Sequence, residues 1–186
     1  MRSKARARNA VALAASLGVA AVCCLGCGTS SSTAERALVE RYLAEVEPIR
    51  LSVNRLLERA DPILEGFANH GLSRATAARR MDALERRFAA YAVQIAGVNP
   101  LDAELRSLNV PYAETYVLED SYLAALVAGI SNGNLRDLPD TQAAQRAAII
   151  RWRTRLTVLA ERVHARLPLD LQQAGRGEIA PSPFGS

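Results

Sequence analysis

The chain has 186 residues, 49% apolar and 23% charged, which excludes a disordered chain and a multi-span membrane protein and suits one domain with tails. Aromatic residues are only 5%. With few turn signals that is poor material for a β-sandwich, whereas abundant Ala, Leu, Arg and Glu favour helix. The net charge of +4 sits at the N-terminus: Arg2, Lys4, Arg6 and Arg8 are four of 23 basic residues, no acidic residue precedes Glu35, and the remaining 19 basic residues balance 19 acidic ones. No long single-sign run is left, so a nucleic-acid partner is not expected.

The four basic residues precede a charge-free apolar run from Asn9 to Val22, the pattern of an export signal. Extended to Gly26 the run approaches the roughly 20 residues that a membrane span needs, so an uncleaved anchor is the alternative reading. Leu25-Gly26-Cys27 after such a run resembles the lipobox of bacterial lipoproteins. That resemblance implies cleavage between Gly26 and Cys27 and a diacylglycerol on the Cys27 thiol, with fatty acyl chains such as palmitate as the membrane anchor. The third position before the cut, commonly Leu in that family, is Cys24 here, which makes Cys24 an alternative acceptor. Two acyl chains give stable anchoring where one gives marginal binding. The implied location is the extracytoplasmic side of the cell envelope. Gly28, where an Asp would favour inner-membrane retention, points to the outer membrane if two membranes are present and otherwise to the outer face of the cell membrane. All three cysteines lie at or before Cys27, so the remaining domain has no disulfide and depends on packing.

Residues 27–33 read as the lipidated Cys and a flexible Gly/Ser tether. From Ala34 a heptad seam runs through Val39, Tyr42, Val46, Ile49, Val53, Leu56, Ala60, Ile63 and Phe67, with Arg50 among the charged residues assigned to other faces. Pro48 and Pro62 should kink or break this helix, with a joint expected near Asp61-Pro62 and Asp61 as cap. Asn69-His70-Gly71 is a stop. Ser73 can cap a second helix whose seam is Ala77, Met81, Leu84, Phe88, Tyr91, Ile95 and Val98. A third segment, from Leu101 and interrupted by Pro111, is apolar on most faces to Ile130 and should be the most buried. Ser131-Asn132-Gly133-Asn134 is a turn. A fourth helix, opened by Leu138-Pro139-Asp140 and closed by Pro168, carries Ile149, Trp152, Leu156, Leu159, Val163 and Leu167.

The expected fold is all-α, a four-helix up-down bundle with long, partly Pro-kinked helices. The expected division is 1–26 signal peptide, 27–33 tether, 34–168 bundle and 169–186 poorly ordered tail. Glu161 and His164 stand at i, i+3, the spacing of one half of a di-iron site. The chain has one such pair, and His70 has no Glu at that spacing, so no metal site is assigned and Glu161 and His164 are only weak candidates. Met81 with His164 is a conceivable haem pair, but Met81 lies in a core seam. Tyr112, Tyr116 and Glu119 share a helix face and form either a small polar pocket or a buried network that fixes helix register. No catalytic constellation and no cofactor beyond the acyl anchor is read. The expected function is a membrane-anchored binding or assembly module whose partners are the bilayer and an envelope protein, with self-association through the seams also open. The alternative is a helical-bundle carrier of a metal, haem or small ligand.

Overall fold

Apolar residues spaced three and four apart line one side of a helix and must be covered by another element. In the computed structural model, which describes residues 27–172 and 178–183, that covering is helix on helix. The elements are α1 (Cys27–Leu57), α2 (Ala60–Ala68), α3 (Arg74–Gly97), α4 (Ala103–Asn132), α5 (Gln142–Arg162) and α6 (Leu169–Gln172), with no strand among the described residues. The fold is all-helical.

The two first seams are the core faces of their helices. Val39, Tyr42, Val46, Ile49, Val53, Leu56, Ala60 and Ile63 are buried, with Phe67 partly so, and on α3 Ala77, Met81, Leu84, Phe88 and Ile95 are buried. Val39 is the first buried residue among the described side chains of α1, which begin at Ser32. The Gly28–Thr33 stretch, expected as a tether, is nevertheless helical. The signal-peptide and cleavage expectations, Gly26 included, fall on residues 1–26, outside those described.

Pro62 sets the break between α1 and α2, but not where the sequence suggests. A proline cannot donate to the carbonyl four residues back, here that of Glu58, and its ring collides with it. The chain therefore leaves the helix before Pro62 is reached: Arg59 N–H bonds Leu56 O at 3.1 Å, a tightened last turn. Pro62 then falls in the first turn of α2, where a missing N–H costs nothing. Arg59 occupies the cap position without a side-chain bond, so Asp61 is not the cap. Pro48 and Pro111 instead stay inside α1 and α4, both on exposed positions.

The α3 start is capped as expected, Ser73 accepting from Thr76 N, and Asp102 does the same for Leu105 N on α4. α4 is the most buried helix, flanked by α3 on one side and α5 on the other, while α1 packs on α3 and α5 and α2 on α3. α5 opens at Gln142 and closes at Arg162, short of Pro168. Its end is a Schellman turn: Ala165 N–H bonds Ala160 O at 2.8 Å, and His164 bonds Glu161 O at 3.2 Å with φ +54°. Gly133, φ +71°, closes α4 in the same way.

Of residues 169–186, expected as a poorly ordered tail, the described parts pack on the helices. Leu171 on α6 is buried, and residues 178–183 lie as a strap against α4 and α5, with Glu178 and Ala180 buried. Glycine and proline composition reports on local stiffness and says nothing about docking, which here comes from side chains that satisfy the strap's backbone.

Gly129 on α4 is buried, and a methyl there would stand 2.7 Å from the Asn134 carbonyl oxygen. Gly129→Ala should cost a net of up to about 2 kcal/mol, the clash of about 1–3 being offset by a helix gain of about 1. Gly97→Ala, with open space around it, should be neutral or stabilising by up to about 1 kcal/mol. Urea unfolding of both variants measures the difference.

Candidate functional site

The most distinctive chemistry lies inside the protein, where α1, α4, α5 and the strap meet. Arg50 of α1 is 1% exposed. The sequence places it among surface charges, yet it sits on an inner stripe with Leu43, Val46, Val53 and Leu57, all buried. Three carboxylates converge on it. Glu47 takes two bonds, Nε–Oε2 at 3.0 Å and Nη2–Oε1 at 2.8 Å. Asp170 of α6 accepts a further bond from Nη2. Glu178 of the strap lies 3.5 Å from Nη1. Burial works against the Arg50 charge, but Glu47 and Glu178 reverse the balance and hold its pKa above the ordinary value.

Glu178 is itself buried and also faces Arg153 of α5, at 3.4 Å. Its backbone is left-handed, φ +72°, a conformation that costs a residue with a Cβ about 1–2 kcal/mol. Its Oε2 and the Nε of Arg153 have no hydrogen-bond partner. Burial raises the Glu178 pKa in spite of the two guanidinium groups.

The three residues singled out as a polar pocket or register network come together beside this cluster. Tyr112, Tyr116 and Glu119 are all buried on α4. The two phenol oxygens are 3.1 Å apart. Burial and the Glu178 carboxylate raise both tyrosines, which stay neutral. Tyr112 stacks on Trp152 of α5 at 4.0 Å, and Tyr116 on Phe88 of α3 at 5.7 Å, so an aromatic row joins three helices. Trp152 Nε1 donates to Tyr42 Oη at 2.8 Å, Tyr42 donates to Asn109 at 3.0 Å, and Asn109 Nδ2 donates to Val98 O at 3.0 Å. This set of polar bonds links α1, α4 and α5 to the end of α3.

Glu119 is fully buried and reads the strap. Its Oε1 accepts from Ala180 N–H at 2.8 Å, and its Oε2 accepts from Gln145 Nε2 at 2.9 Å. Gln142 Nε2 donates to Ala180 O at 2.9 Å, and Tyr122 Oη donates to Pro181 O at 3.4 Å. Burial, only partly offset by these bonds, pushes the Glu119 carboxyl up to about 7.

The metal candidates do not converge. Glu161 and His164 are both exposed, and His164 lies past the end of α5 in a left-handed turn, so the two do not share a helix face. Met81 is fully buried on α3, away from the exposed His164. His70 is likewise an exposed left-handed turn residue. Among the described residues no three His, Cys, Asp or Glu side chains are grouped to hold a metal ion. Compared with family models, with curated proteins and with solved structures, the chain matches none.

Two outcomes test this site, and a third tests the turn that ends α5. Arg50→Met should cost about 3–5 kcal/mol by stranding Glu178, and adding Glu178→Gln should recover most of that, as read by urea unfolding. Glu119 ionises near 4.5 in the unfolded chain and about 7 in the folded one. Its contribution is therefore present in full below about pH 4.5 and is lost as pH rises through 7, a difference of roughly 3 kcal/mol, and Glu178 adds a fall of the same sign. Glu119→Gln should flatten that slope at a cost of about 1 kcal/mol for the re-made bond to Gln145. His164→Gly should stabilise by about 0.5–1 kcal/mol by relieving its backbone.

Proposed function

We propose that the chain is a lipoprotein anchored by acyl chains on Cys27 to the extracytoplasmic face of a membrane, and that its helical domain is a module for binding or assembling with an envelope protein. The observation that carries this reading is Leu25-Gly26-Cys27, placed directly after a charge-free apolar run that four basic residues precede. Among the described residues no helix is long and apolar enough to cross a membrane. On this reading the acyl chains carry the attachment, two chains being enough for a stable anchor. Gly28 favours the outer membrane where a cell has two, and the outer face of the cell membrane where it has one.

The domain on this reading is a four-helix up-down bundle in which α1 and α2 act as one column. Two observations support that arrangement. The apolar seam keeps its phase across the break, from Leu56 to Ala60 and Ile63. Each of the columns α1, α3, α4 and α5 also has two of the others as neighbours.

Mass spectrometry of the protein taken from membranes should find a mature N-terminus at Cys27 bearing diacylglycerol and fatty acyl groups. Cys27→Ala should accumulate as an uncleaved, unacylated precursor. An acylated start at Cys24 would move the anchor to the alternative thiol, and an intact Met1 without acyl chains would overturn the proposal.

A further inference from the structure

The strap is held in the way a groove holds a peptide. Its backbone N–H and C=O at Ala180 and its C=O at Pro181 are all met by side chains, from Glu119, Gln142 and Tyr122. One anchor residue, Glu178, enters a pocket between Arg50 and Arg153. Reading backbone by side chains and specificity by one or two anchors is the logic of extended-peptide recognition. Ala180 is 2% exposed, so the position two residues after the acid is enclosed and favours a small side chain.

The occupant fits imperfectly. Glu178 has a left-handed backbone, its ion pairs are long at 3.5 and 3.4 Å, and Arg153 Nε is buried without a partner. A peptide of another chain could present the same carboxylate with a relaxed backbone and closer bonds to both guanidinium groups. We propose that the groove between α1, α4 and α5 is a recognition site for an extended acidic peptide segment of a partner protein, of the pattern acid, any residue, small residue, proline, and that the strap is its displaceable internal occupant. This rests on the reading of the domain as a binding module and not on the acyl anchor, so it is tested independently of Cys27.

The probe is a synthetic peptide of residues 178–183 plus its carboxamide variant with Gln in place of Glu178, added to the full chain in detergent. Binding is followed by calorimetry and the strap by hydrogen-exchange mass spectrometry. The acidic peptide should bind and raise exchange at residues 178–183, and the Gln peptide should bind about tenfold more weakly. Glu178→Gln and Ala180→Pro in the chain each loosen the strap and leave in place the side chains of α1, α4 and α5 that hold it. Each should tighten peptide binding about tenfold, by the factor that its own strap loses as competitor. Strap exchange unchanged in the wild-type chain at the highest soluble peptide concentration would overturn the proposal, whatever the variants do. So would folded variants that bind no peptide, or a strap-exchanged dimer that excludes it, which would put a second copy in the groove.

Discussion

A guanidinium buried to 1% exposure constrains everything around it. Arg50 cannot lose its proton, and taking it out of water costs several kcal/mol that only well-placed acceptors return. Those acceptors come from its own helix, from α6 and from the strap. Asp170 and Glu178 are thus both tied to α1, and α5 is drawn in because Glu178 also needs Arg153. The apolar seams bring the helices together, but they are interchangeable in the way that hydrophobic surfaces are. The polar contacts are not, and they specify which turn of α1 faces which turn of α4 and α5.

The same division governs what could be read from the amino acids alone. Seams through Val46 and Val53, through Met81 and Phe88, and through Trp152 and Leu156 were legible because burial follows a three-and-four spacing. Glu119 was legible as an inner residue because it follows Tyr112 and Tyr116 on one face. Arg50 was not, although a signal was present: Leu43, Val46, Arg50, Val53 and Leu57 are spaced three and four apart, a second stripe with a charge in its middle. Gln145 is similar, standing four residues before Ile149 at the head of its seam. A polar residue in an apolar stripe reads as a phase error when only hydrophobicity is followed, and as a buried partner when the stripe is continued through it.

Element ends were harder, because they depend on local geometry that composition does not carry. Pro62 ends α1 through the carbonyl of Glu58, four residues upstream, so the visible break point and the actual one differ. α5 stops at a histidine where glycine is the usual residue. The strap was invisible for a different reason. Its bonds to Glu119, Gln142 and Tyr122 span 38 to 61 positions along the chain, and no local pattern encodes a pairing at such distances.

The distance of Glu178 along the chain, 128 positions after Arg50, has a consequence for how the protein is made. Synthesis delivers a chain from its N-terminus, so the helices can collapse while the Arg50 and Arg153 charges still lack one of their acceptors. The ionic core closes only when Glu178 arrives. A product cut before Glu178 leaves both guanidinium groups one acceptor short in an apolar interior, and it opens more readily to degradation. The fold thereby carries its own check that synthesis has passed Glu178.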